Sequence, residues 1–462
     1  MRLPQRPPDW LKSIGDNPNW LVDTATRADV QAFVRDANDR YLHWDRLRFQ
    51  PMPSGLTAPQ AWAAVMITRN PQRQRVPLTF DAKTKLWYWI PPRHHEWISL
   101  IDQRAGGFLG SQRPGLPGDN DYYLFNSLME EAIASSQLEG AHTTREIAKE
   151  MLRTNRQPRG RAEQMIANNY AAILEIRDLK TVPLTPELLC HLQQVLTRQT
   201  LDNPDAAGRF RRADEQIYIA DADNEPVYTP PAADGVPARV QELCDFANAA
   251  SVPFVHPVLK AIALHFAIGF IHPFVDGNGR TARAVFYWYM LKHGYWLFEF
   301  LPISRIIKNA PAQYGKAYLY VEAGDGDLTY FNHYHLEVII RAIDELHTYL
   351  AGQQEMLSEA EALVEAHPAL NLRQRLVVSE ALRHPNREYT VRTYVGAYRV
   401  TANTARSDLA GLERLGLFEA GRVAHGKAAV YRPAGDLKAR LRSPSGQRVG
   451  RIRRPPRPGL LD

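Results

Sequence analysis

Apolar residues recur at helical spacing along 164–177, 185–198, 236–249, 258–271, 281–292 and 334–350, so residues 143–350 read as almost entirely helical. Two stretches, 258–271 and 282–291, are apolar nearly all round, as expected of helices with no wet face. Thr185-Pro186 is a helix start with proline in the first turn. An earlier helix is predicted over 122–138, ending at Gly140, and Thr143 with Glu146 has the spacing of a capping box for the next one. The period changes in two places. Residues 76–80 and 86–90 read as short strands after a helix over 58–69. Runs at 216–219 and 226–231, around the polar 221–225, predict a β-hairpin. Beyond 352, helical patterns at 355–366 and 371–383 precede 389–395, 400–409 and 412–418, and a hairpin follows over 421–431.

These patterns divide the chain into an N-terminal extension (1–105), a helical core (106–352) and a second unit (353–435). The core opens with a Gly- and Pro-rich linker over 106–120. A basic tail (436–462) lacks apolar periodicity and is expected to be disordered. The fold class expected is mainly α, with one hairpin in the core and a smaller hairpin-bearing unit after it.

A hydrophobic fraction of 45% and a charged fraction of 23% suit a globular chain. No apolar run is long enough to span a bilayer, and the N-terminus has no apolar signal core, so a cytoplasmic location is expected. Cys190 and Cys244 read as buried free thiols. His94 and His95 read as a surface loop leading into a helix, and His256, His265, His333 and His335 as helix-surface or core residues rather than metal ligands. Residues 433–462 hold Lys438 and seven arginines against Asp436 and Asp462, which accounts for the whole net charge of +6. That tail reads equally as a polyanion-holding or a solubilising end.

The chemistry concentrates in residues 272–283, His-Pro-Phe-Val-Asp-Gly-Asn-Gly-Arg-Thr-Ala-Arg, a tight loop opening a buried helix. Gly277 and Gly279 permit backbone angles closed to other residues. Free N–H groups at the following helix start form an anion site. Arg280 and Arg283, three apart, can face one anion. Asp276 offers a hard oxygen for magnesium held mainly by phosphates. His272 titrates near neutrality and suits a general base. Read on its own, the loop is equally a phosphate cradle or a structural turn.

The whole string resembles the Fic signature His-x-Phe-x-Asp/Glu-Gly-Asn-Gly-Arg-x-x-Arg and matches it at every specified position. The resemblance implies transfer of AMP from ATP to a hydroxyl side chain of a protein, with magnesium. His272 would be the base and Asp276 the metal ligand. Gly277, Asn278 and Gly279 would line the phosphates with Arg280 and Thr281 beside them, Arg283 would hold the γ-phosphate, and Phe274 would anchor the loop. Ser135-x-x-x-Glu139-Gly140 resembles the inhibitory motif of the same family. It implies that Glu139, near the end of a helix over about 122–140, pairs with Arg283 in place of the γ-phosphate. The predicted hairpin, with Ile217, Tyr218 and Ile219, would be the flap that pairs with an extended segment of the target. Tyr314 is placed either near the adenine or in the core.

The second unit resembles a winged helix-turn-helix, its recognition helix at about 402–415, with Arg406, Arg422 and Lys427 as phosphate contacts. Winged helices also serve as dimerisation and protein-docking modules, and Asp408 and Glu413 on that helix keep that role open. Partners implied are a target protein, self-modification, a homodimer and nucleic acid. Two other functions stay open: removal of AMP by the same site, with Glu139 orienting water, and a DNA-associated regulator whose core senses nucleotide.

Overall fold

The structure, a computed structural model, describes residues 3–15, 19–81, 84–106, 120–220, 226–250, 253–385, 387–422 and 429–442. It is mainly helical, and its strands pair only as three two-stranded antiparallel hairpins among the described residues. Apart from residues 114–121, a first compact unit ends at Leu346 and a second begins at His347. Residues 107–119 of the linker predicted over 106–120, the turn 221–225, the wing tip with Lys427, and 443–462 lie outside the described residues.

The N-terminal extension holds α1 (Ala28–Asp39), α2 (Ala58–Arg69), the hairpin β1 (Gln74–Thr79) and β2 (Lys85–Tyr88), and α3 (Pro92–Ala105). A capping box at Thr57 and Gln60 starts α2. The first unit continues with α4 (Asn120–Leu138), α5 (Arg145–Thr154), α6 (Arg161–Leu179) and α7 (Pro186–Thr197). The hairpin β3 (Ile219–Ala220) and β4 (Pro226–Tyr228) follows. Then come α8 (Val236–Asn248), α9 (Pro257–Ile271), α10 (Asn278–Lys292), α11 (Ile303–Asn309), α12 (Pro311–Ala323) and α13 (Thr329–Ala366), whose residues from His347 on belong to the second unit. The cap of α5 is Thr144, whose hydroxyl accepts from Ile147 N, so the expected box at Thr143 is displaced by one residue.

The pair α9 and α10 forms the centre of the core. Nearly every residue of α9 is buried, including Lys260 and His265, because other helices and aromatic rings cover it on all sides. That burial explains the absence of a polar stripe in the sequence. The extension is built into this core. Trp87 N donates to Gly326 O and Leu328 N to Trp87 O, which joins β2 to the segment opening α13. Tyr41 donates to Asp327 at 2.7 Å, and Asp327 accepts from Thr329 N. Burial raises the Asp327 carboxyl to about 6.

Arg69 is fully buried and donates to Asn38 Oδ1, Ala37 O, Leu42 O and Tyr330 OH, with its guanidinium over the Tyr41 ring. His94, expected in a surface loop, is instead buried within α3, its Nε2 3.0 Å from His333 Nδ1. The alternation around it gave no sign of this, since α13 covers it from more than two hundred positions away in the chain. Cys190 and Cys244 are free. Among the described residues no helix is long and apolar enough to cross a membrane.

The second unit contains α14 (Leu372–Arg383), α15 (Val391–Tyr398), α16 (Ala402–Arg414), the hairpin β5 (Phe418–Arg422) and β6 (Ala429–Pro433), and α17 (Leu437–Arg442). Its separate core includes Val377, Leu409, Leu412 and Phe418. The start of the expected tail is corrected. Leu437 and Leu441, four apart, are buried in this core, and that pairing orders α17.

Replacing Arg69 with Met should cost about 3 kcal/mol, because it strands buried backbone carbonyls. Denaturant unfolding of the first unit measures this, and an unchanged midpoint would contradict it.

Candidate active site

The loop between α9 and α10 is held from both ends. His272 closes α9 in a left-handed conformation, φ 50°, with its N–H on Ile268 O. Phe274 then drops fully into the core beside Phe210. Asn278 clamps the turn. Its Oδ1 accepts from Phe274 N at 2.9 Å and its Nδ2 donates to Phe274 O at 2.8 Å. Gly277 has φ +86°, and a Cβ there would sit 2.8 Å from Thr197 Cγ2, so the position demands glycine. Thr281 is buried, its hydroxyl on Gly277 O. Its side chain therefore braces the loop rather than facing open space.

Two residues without a motif complete the brace. Gln193 donates to Asp276 O and accepts from Gly208 N. Arg211 donates from Nε to His272 O at 2.8 Å and from N to Pro273 O. Nothing in the local sequence singles them out. Their role depends on α7 and the segment around Arg211 lying across the loop.

His272 is half-buried. Its Nδ1 lies 3.0 Å from Gly269 O, which fixes Nδ1 as the protonated nitrogen and leaves Nε2 free to accept. Burial lowers its pKa, against smaller opposing effects from that hydrogen bond and from Glu139. Asp276 is partly exposed. One oxygen accepts from Gly277 N and from Arg280 Nη2, and the other is 3.8 Å from Arg161 Nη2. Arg280 is fully buried, with Nη1 on Leu196 O at 2.7 Å.

Ser135 and Glu139 share one face of the α4 terminus, with Gly140 in the left-handed region at φ +86°. Arg283 donates from Nε to Ser135 Oγ at 2.8 Å and from Nη2 to Ser135 O and Glu139 Oε1, each at 2.9 Å. Burial would raise the Glu139 carboxyl, but Arg283 and Arg280 outweigh it and hold it below the usual glutamate range. The carboxylate lies directly on Gly279. A Cβ built there would overlap Glu139 Oε1 and fall 3.2 Å from Arg283 Nη1. Among the described residues, Arg283 Nη1 and Arg280 Nε are buried donors with no partner. The loop thus presents a glycine floor, two buried guanidinium groups with spare N–H capacity, and a carboxylate resting in the same space.

Glu131, one turn before Ser135, was not singled out by the sequence. It is buried and accepts from Tyr287 OH, Ser304 N and Ser304 Oγ. Burial raises its pKa, against those hydrogen bonds and the Arg283 charge. Ser304 is therefore consumed by α4. Tyr314 is half-buried, its hydroxyl 2.9 Å from His265 Nε2 and 3.3 Å from Tyr318 OH, inside an aromatic cluster with Phe331. In the β3–β4 hairpin only Ile219 of the three expected residues lies in a strand. Tyr218 is 56% exposed, and Tyr228 anchors the hairpin by donating to Phe270 O.

Residues 183–290 match the model of the Fic/DOC family, a span that holds α7, the hairpin, α9, the loop and most of α10. This segment is a Fic domain. The chain is 30% identical over 139 residues to protein adenylyltransferase fic-1 of Caenorhabditis elegans, covering 30% of this chain and 24% of that one. It is 26% identical over 164 residues to protein adenylyltransferase Fic of Drosophila grimshawi, covering 35% of this chain and 30% of that one. The matches to these curated relatives thus span about a quarter to a third of their length. Among solved structures, a Fic family protein from Desulfovibrio desulfuricans aligns over 77% of this chain and 96% of its own, with 20% identity and a TM-score of 0.46. The matched Fic segment stops short of Ser135 and Glu139, which reach the loop from outside it.

Asn278→Ala should cost about 2 kcal/mol, since it leaves Phe274 N and O buried without partners. Asn278→Asp, which keeps the acceptor, should lose less. Equal unfolding midpoints for wild type and Asn278→Ala would contradict the clamp.

Proposed function

We propose that the chain is a protein adenylyltransferase that moves AMP from ATP to a hydroxyl side chain of a target protein and is held off by Glu139. The observation that carries this reading is the Glu139 carboxylate on the Gly279 face, paired with Arg283. The names of the curated relatives support the reaction class.

In this reaction the target hydroxyl oxygen attacks the α-phosphorus, the bond to the α,β-bridging oxygen breaks, and pyrophosphate leaves. The hydroxyl proton passes to His272 Nε2, the nitrogen left free by the Gly269 hydrogen bond. The floor of Gly277–Gly279 and the α10 N-terminus orients the phosphates, and Arg280 and Arg283 offset their charge. Asp276 would hold magnesium. The fit is that of an ion bound mostly by phosphate oxygens, since among the described residues no group of three His, Cys, Asp or Glu gathers there. When bound, the metal neutralises phosphate charge. The flap would position an extended target segment by main-chain pairing, which is tolerant of target sequence.

With Glu139 in place the γ-phosphate meets an Arg283 already paired with a carboxylate lying on the Gly279 face, so ATP binds weakly or out of line. Labelling of protein by α-labelled ATP should be weak for wild type and at least about tenfold stronger for Glu139→Gly. It should be lost in Glu139→Gly with His272→Ala. Labelling by Glu139→Gly no stronger than wild type would contradict the block, and labelling by the double variant would contradict the base.

The pH profile of Glu139→Gly tests the protonation state. The base must be neutral and its folded pKa is lowered, so activity should fall only as pH drops below the ordinary histidine value of about 6.5. An acid limb centred above 7 would contradict this assignment.

A further inference from the structure

The second unit joins α15 to α16 by a three-residue turn in which Arg399 takes a left-handed conformation, φ 50°. This is a helix-turn-helix connection. Thr401 caps α16, accepting from Thr404 N. One face of α16, Ala405, Asp408, Leu409 and Leu412, is buried in the unit's core. Asp408 is 4% exposed and is consumed there by Arg373 Nε at 2.7 Å, Asn371 Nδ2 and Tyr394 OH. The carboxylate that argued from sequence against a nucleic-acid surface therefore points inward and locks α16 to α14.

The opposite face is exposed and carries Asn403, Arg406, Ser407 and Arg414, which fall along one side at 3.6 residues per turn. Its acidic member, Glu413, stands two turns beyond Arg406. Among the described residues Arg375 on α14 pairs with no carboxylate and donates to His367 O, and two groups stand out among the other arginines of this unit. Arg373, Arg383, Arg387, Arg432, Arg440 and Arg442 each pair with a carboxylate. Among the described residues those on α15, α16 and their turn (Arg392, Arg399, Arg406 and Arg414) have none, and all are exposed. Four exposed arginines against the single exposed carboxylate of Glu413 leave a net positive charge on this helix-turn-helix, which is complementary to a polyanion.

We propose that α15 and α16 form a docking surface for duplex DNA, with α16 in the major groove. Asn403 and Arg406, near the start of α16, suit adenine and guanine edges, the pairings an amide and a guanidinium can make bidentately. Arg392, Arg399 and Arg414 suit backbone phosphates, which set position rather than sequence. A lipid surface would call for apolar residues on the exposed face, and α16 presents amide, hydroxyl and guanidinium groups instead.

Selection of the full chain on a random duplex pool at near-physiological salt tests the proposal. The selected duplex is then compared with a scrambled one, using wild type, Asn403→Ala, Arg406→Ala, and a variant with Arg448, Arg451, Arg453 and Arg454 changed to Gln. An enriched motif is expected. Arg406→Ala should weaken binding to it on the order of tenfold and remove its preference over the scramble. The tail variant should weaken both duplexes alike and keep the preference. Arg406 is exposed, so its variant should unfold at the wild-type temperature. The proposal fails if no motif is enriched, if Asn403→Ala and Arg406→Ala bind the selected duplex like wild type, or if duplex RNA is preferred.

Discussion

Two guanidinium groups buried on the first turns of one helix set the terms for the rest of the first unit. Taking an ion out of water costs several kcal/mol unless partners replace the lost solvent. Arg280 meets that cost with Leu196 O and Asp276, and Arg283 with Ser135 and Glu139. Each group still has one nitrogen without a partner among the described residues, Nε of Arg280 and Nη1 of Arg283. The site is therefore short of acceptors even with Glu139 present. A carboxylate on a helix end outside the matched segment occupies the place, and in the proposed function a phosphate group would compete for the same donors. In the proposed function, inhibition and substrate binding draw on one electrostatic requirement.

Holding α4 in position then matters as much as the carboxylate it delivers. Glu131 contributes by accepting from Tyr287, one turn beyond Arg283 on α10, and from Ser304 on α11. The two polar contacts differ in kind. Glu139 pairs with a charged guanidinium, whereas the buried Glu131 accepts from neutral donors. The N-terminal extension supports the same core from another side, through Arg69, Tyr41 and the main-chain bonds of Trp87 with the segment opening α13.

Much of this was legible in the chain. Helical periodicity located α9 and α10, because a helix that is apolar all round has to be surrounded. The loop was legible because its residue types are rare in combination: a left-handed glycine beside a helix start, an Asn able to clamp a turn, and two arginines three apart. The contributions of Gln193, Arg211 and Glu131 were not legible. Each acts through a long-range contact that leaves no local pattern, and a Glu within a helix reads as solvated until its neighbours are known. His94 and Asp408 were misread for the same reason. A polar residue paired across the fold looks identical in sequence to one facing water. The helix at Leu437–Arg442 was missed because two leucines amid basic residues give a weak periodic signal, and the core they join is assembled from elements far upstream.

The central claim is that Glu139 and the γ-phosphate compete for Arg283. Calorimetric titration of wild type and Glu139→Gly with ATP and with ADP tests this most directly. Removing Glu139 should raise affinity at least several-fold more for ATP than for ADP, because only ATP brings the group that replaces the carboxylate. An equal gain for both nucleotides, or none for either, would contradict it.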